Sequence, residues 1–420
     1  MQVTTMRDID QFSMANPDTA RCPFPYYAAM RRDAPVHRDP GTGFYWISRH
    51  ADVMKLALDH EALSSASEVI MKKHFQPRAQ AMWDAAGMEA IGTLVTSDPP
   101  EHDDYRLVGI KLFDRKKVDE LTPQMEALCH RFIDEFSGTS DVDFVKGFAA
   151  RLPATIVCDE FGLPRDDQPR FKEWTDAIVL ALDPLITEER EVELIAKWIE
   201  LFRYLENHLK RVAHEPSGRV IHALATMNKM DGAPFSMLER GWMATAMFVG
   251  GNETTLNMLT MGMRKLALNP ALQDEIRGDP VKIEGFVEEM LRTEGSVQGL
   301  LRVATRDIEF EGVTIPRGAD VVLCAGSANR DAARWECPEE FRIDRPEGRR
   351  HLTFGYGRHL CVGMQLARRE MQVAFRILLD RMRDIQLAMP ENSIEQFPLP
   401  FHRGIANLRL NFTQVTALGN

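Results

Sequence analysis

Apolar residues recur at steps of three and four through the middle of the chain, from about residue 101 to residue 272. This period predicts a mainly helical segment. Within it, Ser236 and Glu239 have the spacing of a capping box, and Asn269-Pro270 carries the signal that ends a helix. The helix between these signals would be about 48 Å long, which is enough to cross a whole domain.

Alternation of apolar and polar residues is confined to short stretches. "GFYWIS", "IEFEGVTIPRGADVVL" and "NLRLNF" predict strands, whereas "HADVMKLALDH" predicts a short helix. A helix carrying "VEEMLR" is expected to begin at Asp279-Pro280, a cap followed by proline at the first helical position. The predicted fold class is mainly α with a minor β component (α+β). We expect a single domain over residues 1–420, with a β-rich part over roughly 1–100 and a helical part over roughly 101–420.

Composition narrows the class of protein. The chain has 420 residues, of which 44% are hydrophobic and 27% are charged, and its formal net charge is −11. An acidic chain of this kind argues against a general affinity for nucleic acid or an anionic membrane. The N-terminus lacks the apolar core of a signal peptide, and "GGNET" interrupts the most apolar stretch with groups that a membrane span should not carry. A cytoplasmic location is therefore expected.

The cysteines do not form a recognisable framework. Six are scattered along the chain and no two have CxxC spacing, so most are expected to be small buried hydrophobes. Cys361 differs because it lies in "FGYGRHLCVG", residues 354–363, directly before a predicted helix. A helix N-terminus stabilises a thiolate, which is the form of cysteine that binds a metal.

The glycines around Cys361 indicate close approach by a ligand. Gly355 and Gly357 allow backbone shapes that a side chain would forbid, and they keep one face of the loop thin enough for a flat cofactor. Two other interpretations of the residues stay open at this point. One is a nucleophilic cysteine with His359 as its base. The other is a phosphate-binding loop, although the third glycine of the dinucleotide fingerprint is missing.

Four further motifs give the cysteine loop a context. "FGYGRHLCVG" resembles the haem-binding signature of the cytochrome P-450 family. The other motifs follow the order of that family. "DPPEHDDYR" resembles the helix that holds the haem propionates, and "GGNETT" resembles the oxygen-activating motif. "EEMLR" contains the Glu-x-x-Arg pair, and "FRIDR" ends in the arginine that completes the Glu-Arg-Arg triad of the family. The resemblance extends from roughly Pro23 to the C-terminus. It implies the cytochrome P-450 fold, with a long central helix over the haem.

The resemblance also implies which residues hold the cofactor. Cys361 would be the axial ligand of the iron in haem b, donating electron density to it, and Phe354 would shield the sulfur. Gly250 stands where the family often has alanine. The remaining cofactor-binding positions, of which the first four would pair with the propionates, are His102, Arg106, Arg302, His359, Gly355, Gly250 and Gly363.

The same resemblance separates catalytic from structural residues. Thr254 and Glu253 would deliver protons to bound dioxygen, and a buried Glu253 would need water or a basic partner. The structural ion network that holds the cysteine loop would consist of Glu289, Arg292 and Arg345. The expected substrate pocket is lined by Ala246, Val249, Gly250, Val297, Gln298 and Leu300. A loop over residues 67–96, with several methionines and Trp83, would cover an apolar and adaptable cavity.

A local basic face is expected on this acidic protein. Its residues are Arg115, Lys116, Lys117, Arg349, Arg350, Arg358 and Arg368. Such a face favours an acidic partner guided by charge, and in the resembled family that partner is a ferredoxin or flavodoxin-type electron donor. Electrons would come from NAD(P)H through this partner.

The resulting hypothesis is a monooxygenase that inserts one oxygen atom from O2 into a hydrophobic small molecule, such as a terpenoid, aromatic, steroid or fatty-acid-like compound. Two alternatives on the same fold are a peroxide-driven peroxygenase and a haem-binding sensor without turnover. The acid–alcohol pair in "GGNETT" favours dioxygen activation and so disfavours the peroxygenase. A sensor would need a signalling module, and the sequence shows none.

Overall fold

A computed structural model describes residues 8–66, 75–136, 138–181, 185–216 and 218–415. The predicted fold class is confirmed, since among these residues helices dominate and the strands form three small sheets. The helices extend over Pro17–Arg21, Phe24–Asp33, His50–Leu58, Pro77–Ala85, Glu101–Leu112, Arg115–Asp134, Arg151–Phe161, Gln168–Ala181, Glu188–Val212, Arg219–Thr226, Met237–Ala267, Pro270–Gly278, Lys282–Glu294, Ala325–Ala328 and Met364–Arg381.

The longest of these, Met237–Ala267, is called the central helix here. Its predicted capping box is present: Glu239 N donates to Ser236 Oγ at 3.2 Å, and Ser236 N donates to Glu239 Oε2 at 2.7 Å. The helix has 31 residues and is about 46 Å long at the usual rise. Its first half packs in one hydrophobic cluster and its last third in another, so its middle lies between two cores.

The largest sheet joins distant parts of the chain. Its five strands are ordered β1-β2-β8-β5-β3, where β1 is Val36–Arg38, β2 is Tyr45–Ile47, β3 is Leu63–Ser64, β5 is Leu300–Ala304 and β8 is Asp320–Leu323. Strand β2 pairs in parallel with β8, with Tyr45 opposite Val321. The remaining strands are β4 (Val142–Asp143), β6 (Ile308–Phe310), β7 (Val313–Ile315), β9 (Met382–Leu387) and β10 (Arg409–Gln414).

The helix with the Glu-x-x-Arg motif begins later than the sequence predicts. Asp279-Pro280 forms a turn, in which Lys282 N donates to the Asp279 carbonyl at 3.0 Å, and the helix runs over Lys282–Glu294. The Asp279 carboxylate still accepts from Val281 N at 3.2 Å. The aspartate therefore closes the turn instead of capping the helix.

No helix in the described part of the chain is long and apolar enough to cross a membrane. The central helix is the longest, and its middle carries the glycines, asparagine and glutamate of "GGNET".

A buried carboxyl group in the Met364–Arg381 helix gives a pH-dependent prediction. Burial raises the pKa of Glu370 to about 8 from an ordinary 4.5, and its Oε2 has no hydrogen-bond partner among the described residues. Because the pKa is raised in the folded state, the stability contributed by this group is complete below about pH 4.5 and is lost as the pH rises to about 8. We expect Glu370→Gln to increase the free energy of unfolding by on the order of 3 kcal/mol at pH 8 and by much less at pH 5.

Urea unfolding at the two pH values measures this difference. The matched control is Glu120→Gln, at an exposed position, which should change stability by no more than about 0.5 kcal/mol at either pH. An equal gain at both pH values, or a loss at pH 8, would contradict the assignment of Glu370 as a neutral buried acid.

Candidate active site

The cysteine loop has a tight backbone that its glycines permit. Gly355 and Gly357 have φ angles of +78° and +70°, in the left-handed region that side chains disfavour. Cys361 N donates to the Phe354 carbonyl at 2.8 Å, which closes the loop. The helix Met364–Arg381 follows, with Gly363 as its N-cap.

The Cys361 sulfur is placed where a thiolate can be stabilised. Burial raises the pKa of the thiol, whereas backbone N–H groups of Gly363 and Met364 and the guanidinium groups of Arg106 and Arg368 act to lower it. Donors aimed at the sulfur favour its charged form. The loop therefore suits a sulfur that carries negative charge onto a bound metal.

All four predicted propionate partners lie together. The rings of His102 and His359 are 4.5 Å apart. Burial, together with the nearby Arg302, His102 and Arg106, lowers the pKa of His359 to about 3. Arg106 also donates to the carbonyl of Leu360, directly before Cys361. The structure thus gathers these four side chains beside the cysteine loop.

This cluster fits an anionic cofactor. Burial lowers the pKa of Arg302 to about 10, and among the described residues no carboxylate lies within ion-pair distance of its guanidinium. His102 Nδ1, also buried, lies 3.5 Å from the Asp103 carboxylate and has no hydrogen-bond partner among the described residues. A buried arginine is costly without an anion. The carboxylates of haem would supply the missing charge, so the donor set fits haem b.

The middle of the central helix exposes one narrow stripe. Between Gly241 and Met263 the residues that are not buried are Ala246, Val249, Gly250, Gly251 and Thr254. Apart from Gly251 they are spaced by three and four, so they share one face. A Cβ built at Gly250 would meet nothing within 4 Å. The stripe therefore borders open space, as expected for a pocket wall.

Glu253 has the basic partner that the sequence called for. Its carboxylate lies 3.3 Å from Lys172 Nζ, and Lys172 also pairs with Asp176. Burial raises the pKa of Glu253 to about 7, although Lys172 opposes the rise. Beside it, Thr254 Oγ1 donates to the Gly250 carbonyl at 3.0 Å. Glu253, an acid with a pKa near 7, thus directly precedes Thr254, whose hydroxyl lies on the accessible stripe.

The remaining predicted pocket residues divide into two groups. Leu300 and Val297 are half-buried, and a Cβ built at Gly355 would lie 3.3 Å from Leu300 Cδ1, so Leu300 adjoins the cysteine loop. Gln298 does not join them. Its amide nitrogen bonds to the Gly295 carbonyl, and the side chain is buried on the opposite side of the segment.

The predicted loop over the pocket is partly helical. Residues 67–74 of this prediction lie outside the described residues, and residues 77–85 form a helix. Trp83 is a core residue, with its ring 5.2 Å from that of Trp198 and 5.3 Å from that of Trp242.

The Glu-Arg-Arg network is assembled and buried. Arg292 binds both carboxylate oxygens of Glu289, at 2.7 and 2.8 Å, and Arg345 Nε lies 3.1 Å from the same carboxylate. Arg292 also donates to the carbonyl of Asn329 at 2.8 Å, and Asn329 in turn binds Leu352 N at 2.7 Å through its side-chain oxygen. The network therefore reaches the start of the cysteine loop through one asparagine.

A second network, which the sequence did not indicate, holds the same loop. Glu288 accepts two hydrogen bonds from Arg368, at 2.7 and 3.0 Å, and contacts the buried His351 ring at 3.1 Å. The Arg368 guanidinium also lies 4.7 Å from the centre of the Phe354 ring. Arg368 was predicted to lie on the basic face, and this was wrong because its charge is turned inward and neutralised by Glu288.

The other members of the basic face lie at the surface. Arg349, Arg350, Arg358, Arg115 and Lys116 are exposed, and Lys117 is half-buried. Several are paired with carboxylates. Arg350 with Glu347 and Arg358 with Asp103 are separated by 3.1 and 3.3 Å. Exposed pairs are weak, so these cations stay available to a partner.

The site has what a haem-thiolate monooxygenase requires, namely a supported cysteine sulfur with cationic donors beside it. The family model described as Cytochrome P450 matches residues 282–397. Cytochrome P450 107B1 of Saccharopolyspora erythraea is 31% identical to this chain, and the match covers 91% of this chain and 93% of that protein. The chain belongs to the cytochrome P450 family, as the resemblance implied.

Further similar proteins are also cytochromes P450. Cytochrome P450 monooxygenase PikC of Streptomyces venezuelae is 29% identical, over 94% of this chain and 92% of its own. The structure of cytochrome P450 CYP109Q5 from Chondromyces apiculatus has a TM-score of 0.85 and 27% identity, covering 97% of this chain and 99% of that one. The protein is therefore a bacterial-type P450 monooxygenase that uses haem b, with electrons reaching the family from NAD(P)H through a redox partner.

The buried triad gives a stability prediction. Glu289→Gln keeps the shape of the side chain but leaves Arg292 and Arg345 without their counter-charge, and we expect a loss of about 3–5 kcal/mol in the free energy of unfolding. Urea unfolding of the purified protein measures this loss. The control is Glu284→Gln, which breaks an exposed pair with Arg349 and should cost no more than about 1 kcal/mol. Equal effects of the two substitutions would contradict a buried structural role for Glu289.

Proposed function

We propose that this P450 inserts one oxygen atom from O2 into a hydrophobic small molecule of terpenoid, aromatic, steroid or fatty-acid-like type, and that it acts as a single domain over its 420 residues. The observation that carries the proposal is the accessible stripe of the central helix. Ala246 and Val249 contribute apolar side chains to this stripe, Gly250 contributes none, and Thr254 adds a single hydroxyl. Such a wall suits an apolar substrate beside one proton-donating group.

Cys361 is the proposed iron ligand, and the haem that it would hold supplies the activation of dioxygen. The propionates would be held by His102, Arg106, Arg302 and His359. Gly355, Gly363 and Gly250 would leave room for the cofactor, and Phe354 would shield the sulfur. Glu289, Arg292 and Arg345 keep this loop in place without contacting the reacting atoms.

Thr254 and Glu253 are the proposed proton-transfer residues. Thr254 Oγ1 donates a hydrogen bond to the Gly250 carbonyl in this structure. Rotation of the hydroxyl would direct its proton into the open space instead. Glu253, with a pKa of about 7, is protonated in part of the molecules at neutral pH and can replace a proton that Thr254 passes on. Lys172 holds the carboxylate in position. This acid–alcohol pair supports the use of dioxygen in preference to peroxide.

A ferredoxin or flavodoxin-type protein is the proposed electron donor. Arg115, Lys116, Arg349, Arg350 and Arg358 are exposed cations on a chain whose net charge is −11. Such a local charge would steer an acidic partner. Arg358 belongs to the cysteine loop itself, so a partner bound there would approach the metal ligand closely.

The ligand assignment predicts a spectroscopic result. Dithionite-reduced protein under carbon monoxide should give the strongly red-shifted Soret band of thiolate-ligated haem, because the Cys361 sulfur donates electron density to the iron. Cys361→Ser should abolish this band. Cys129→Ser, at a buried cysteine far along the chain, is the control and should retain it. A red-shifted band that survives in Cys361→Ser would disprove the assignment.

The proton-transfer assignment predicts uncoupling. With a ferredoxin system and a substrate found by a spin-state screen, Thr254→Ala should keep its haem but lower the product formed per NADH consumed by about tenfold. Thr245→Ala is a matched control, since Thr245 makes the same bond to the carbonyl four residues earlier, at 2.9 Å, but lies on the buried face. Fully coupled turnover by the Thr254 variant would remove the assignment.

A further inference from the structure

A short antiparallel pairing lies next to the pocket wall. Val297 and His402 are bridge partners, and Gln298 N donates to the Phe401 carbonyl at 2.8 Å. Neighbouring side chains along such an extended segment point to opposite faces. The environment of each flanking residue therefore indicates where His402 points.

Both neighbours of His402 face the N-terminal helices and strands. The Phe401 ring is stacked on Trp46 at 5.9 Å, and the Arg403 guanidinium lies 4.6 Å from the centre of the Phe24 ring. His402, between them, faces the other way.

That other face looks towards the central helix. Gly404, two residues beyond His402, is packed so closely on the central helix that an added Cβ would lie 2.3 Å from Asn257 Oδ1. Asn257 follows Thr254 by three residues in that helix, and it donates to Ser296 Oγ at 3.2 Å. The paired segment is thus anchored about one turn from the proposed proton donor.

From this anchor the segment runs towards the cysteine loop. Leu300, three residues after Val297, adjoins Gly355. Because His402 is opposite Val297, it lies between the Asn257 anchor and the Leu300 contact. Its side chain therefore faces the space bordered by the central helix and the cysteine loop.

The His402 side chain is a neutral hydrogen-bonding group in apolar surroundings. Burial alone lowers the pKa of its imidazole to about 4, and no charged group modifies this shift. Among the residues that the structure describes, none forms a hydrogen bond or ion pair with the ring. A neutral imidazole offers one donor and one acceptor, and the side chain of its bridge partner Val297 offers neither.

We propose that His402 orients the substrate by hydrogen bonding to an uncharged oxygen group, a ketone or hydroxyl, on an otherwise apolar skeleton. This inference rests on the proposed function and narrows its substrate class. A carboxylate is disfavoured because no cation accompanies the imidazole, whereas a plain hydrocarbon would leave the imidazole unsatisfied when it displaced water. The bond would fix which end of the molecule reaches the haem.

Matched ligands test this assignment. The probes are phenylcyclohexane, 4-phenylcyclohexanone and 4-phenylcyclohexanecarboxylate, together with the corresponding hydrocarbon, ketone and carboxylate of decalin. Dissociation constants come from the spin-state shift of the haem protein and, independently, from equilibrium dialysis. We expect the ketone of each set to bind best, and His402→Phe to weaken ketone binding about threefold to tenfold without weakening hydrocarbon binding.

Two further variants make the outcome specific. His402→Gln keeps a hydrogen-bonding amide and should retain part of the ketone preference, and His214→Phe, at an exposed position, should change nothing. Absence of ketone binding in both sets, a preference for carboxylates, or the same ketone affinity in wild type and His402→Phe would overturn the inference. If the thiolate spectrum and coupled turnover persist in that case, the proposed function stands and the inference alone fails.

Discussion

The buried pair of Glu289 and Arg292 is the interaction on which the site depends. Arg292 donates hydrogen bonds to both carboxylate oxygens of Glu289. It also donates to the carbonyls of Asn329, Pro338 and Glu340. A buried guanidinium is tolerable when its donors are satisfied in this way. The pair therefore holds the backbone carbonyls of a segment that consists mainly of turns. Asn329 connects this segment to Leu352, shortly before the cysteine loop.

The central helix places a second constraint on the site. Its two ends pack in separate hydrophobic clusters. This packing fixes the position of the helix and leaves the stripe in its middle accessible. Gly250 remains exposed there because nothing packs against it. The accessible stripe thus follows from the packing of both ends of one helix. Local flexibility at the glycines is not needed to explain it.

Local signals in the sequence predicted a large part of the fold and the site. The capping box at Ser236 defines the start of the central helix within a few residues, and the spacing around Cys361 identifies the loop, since both depend on neighbours in the chain. Lys172 could not be found this way, because it lies 81 residues from Glu253 on a helix without a motif. Arg368 was misplaced for a related reason, as a basic residue in a helix has the same local pattern whether it faces solvent or Glu288.

The five-stranded sheet has a consequence for how the protein is made. Strand β2, formed by residues 45–47, is complete only when β8, formed by residues 320–323, lies beside it in parallel. A ribosome that has released the first half of the chain has therefore produced one half of a sheet whose other half is not yet synthesised. Loop closure over such a separation is slow, and an unpaired strand edge is prone to aggregation in the meantime. Biosynthesis of this P450 should thus be sensitive to elongation rate and to chaperones that shield the N-terminal strands.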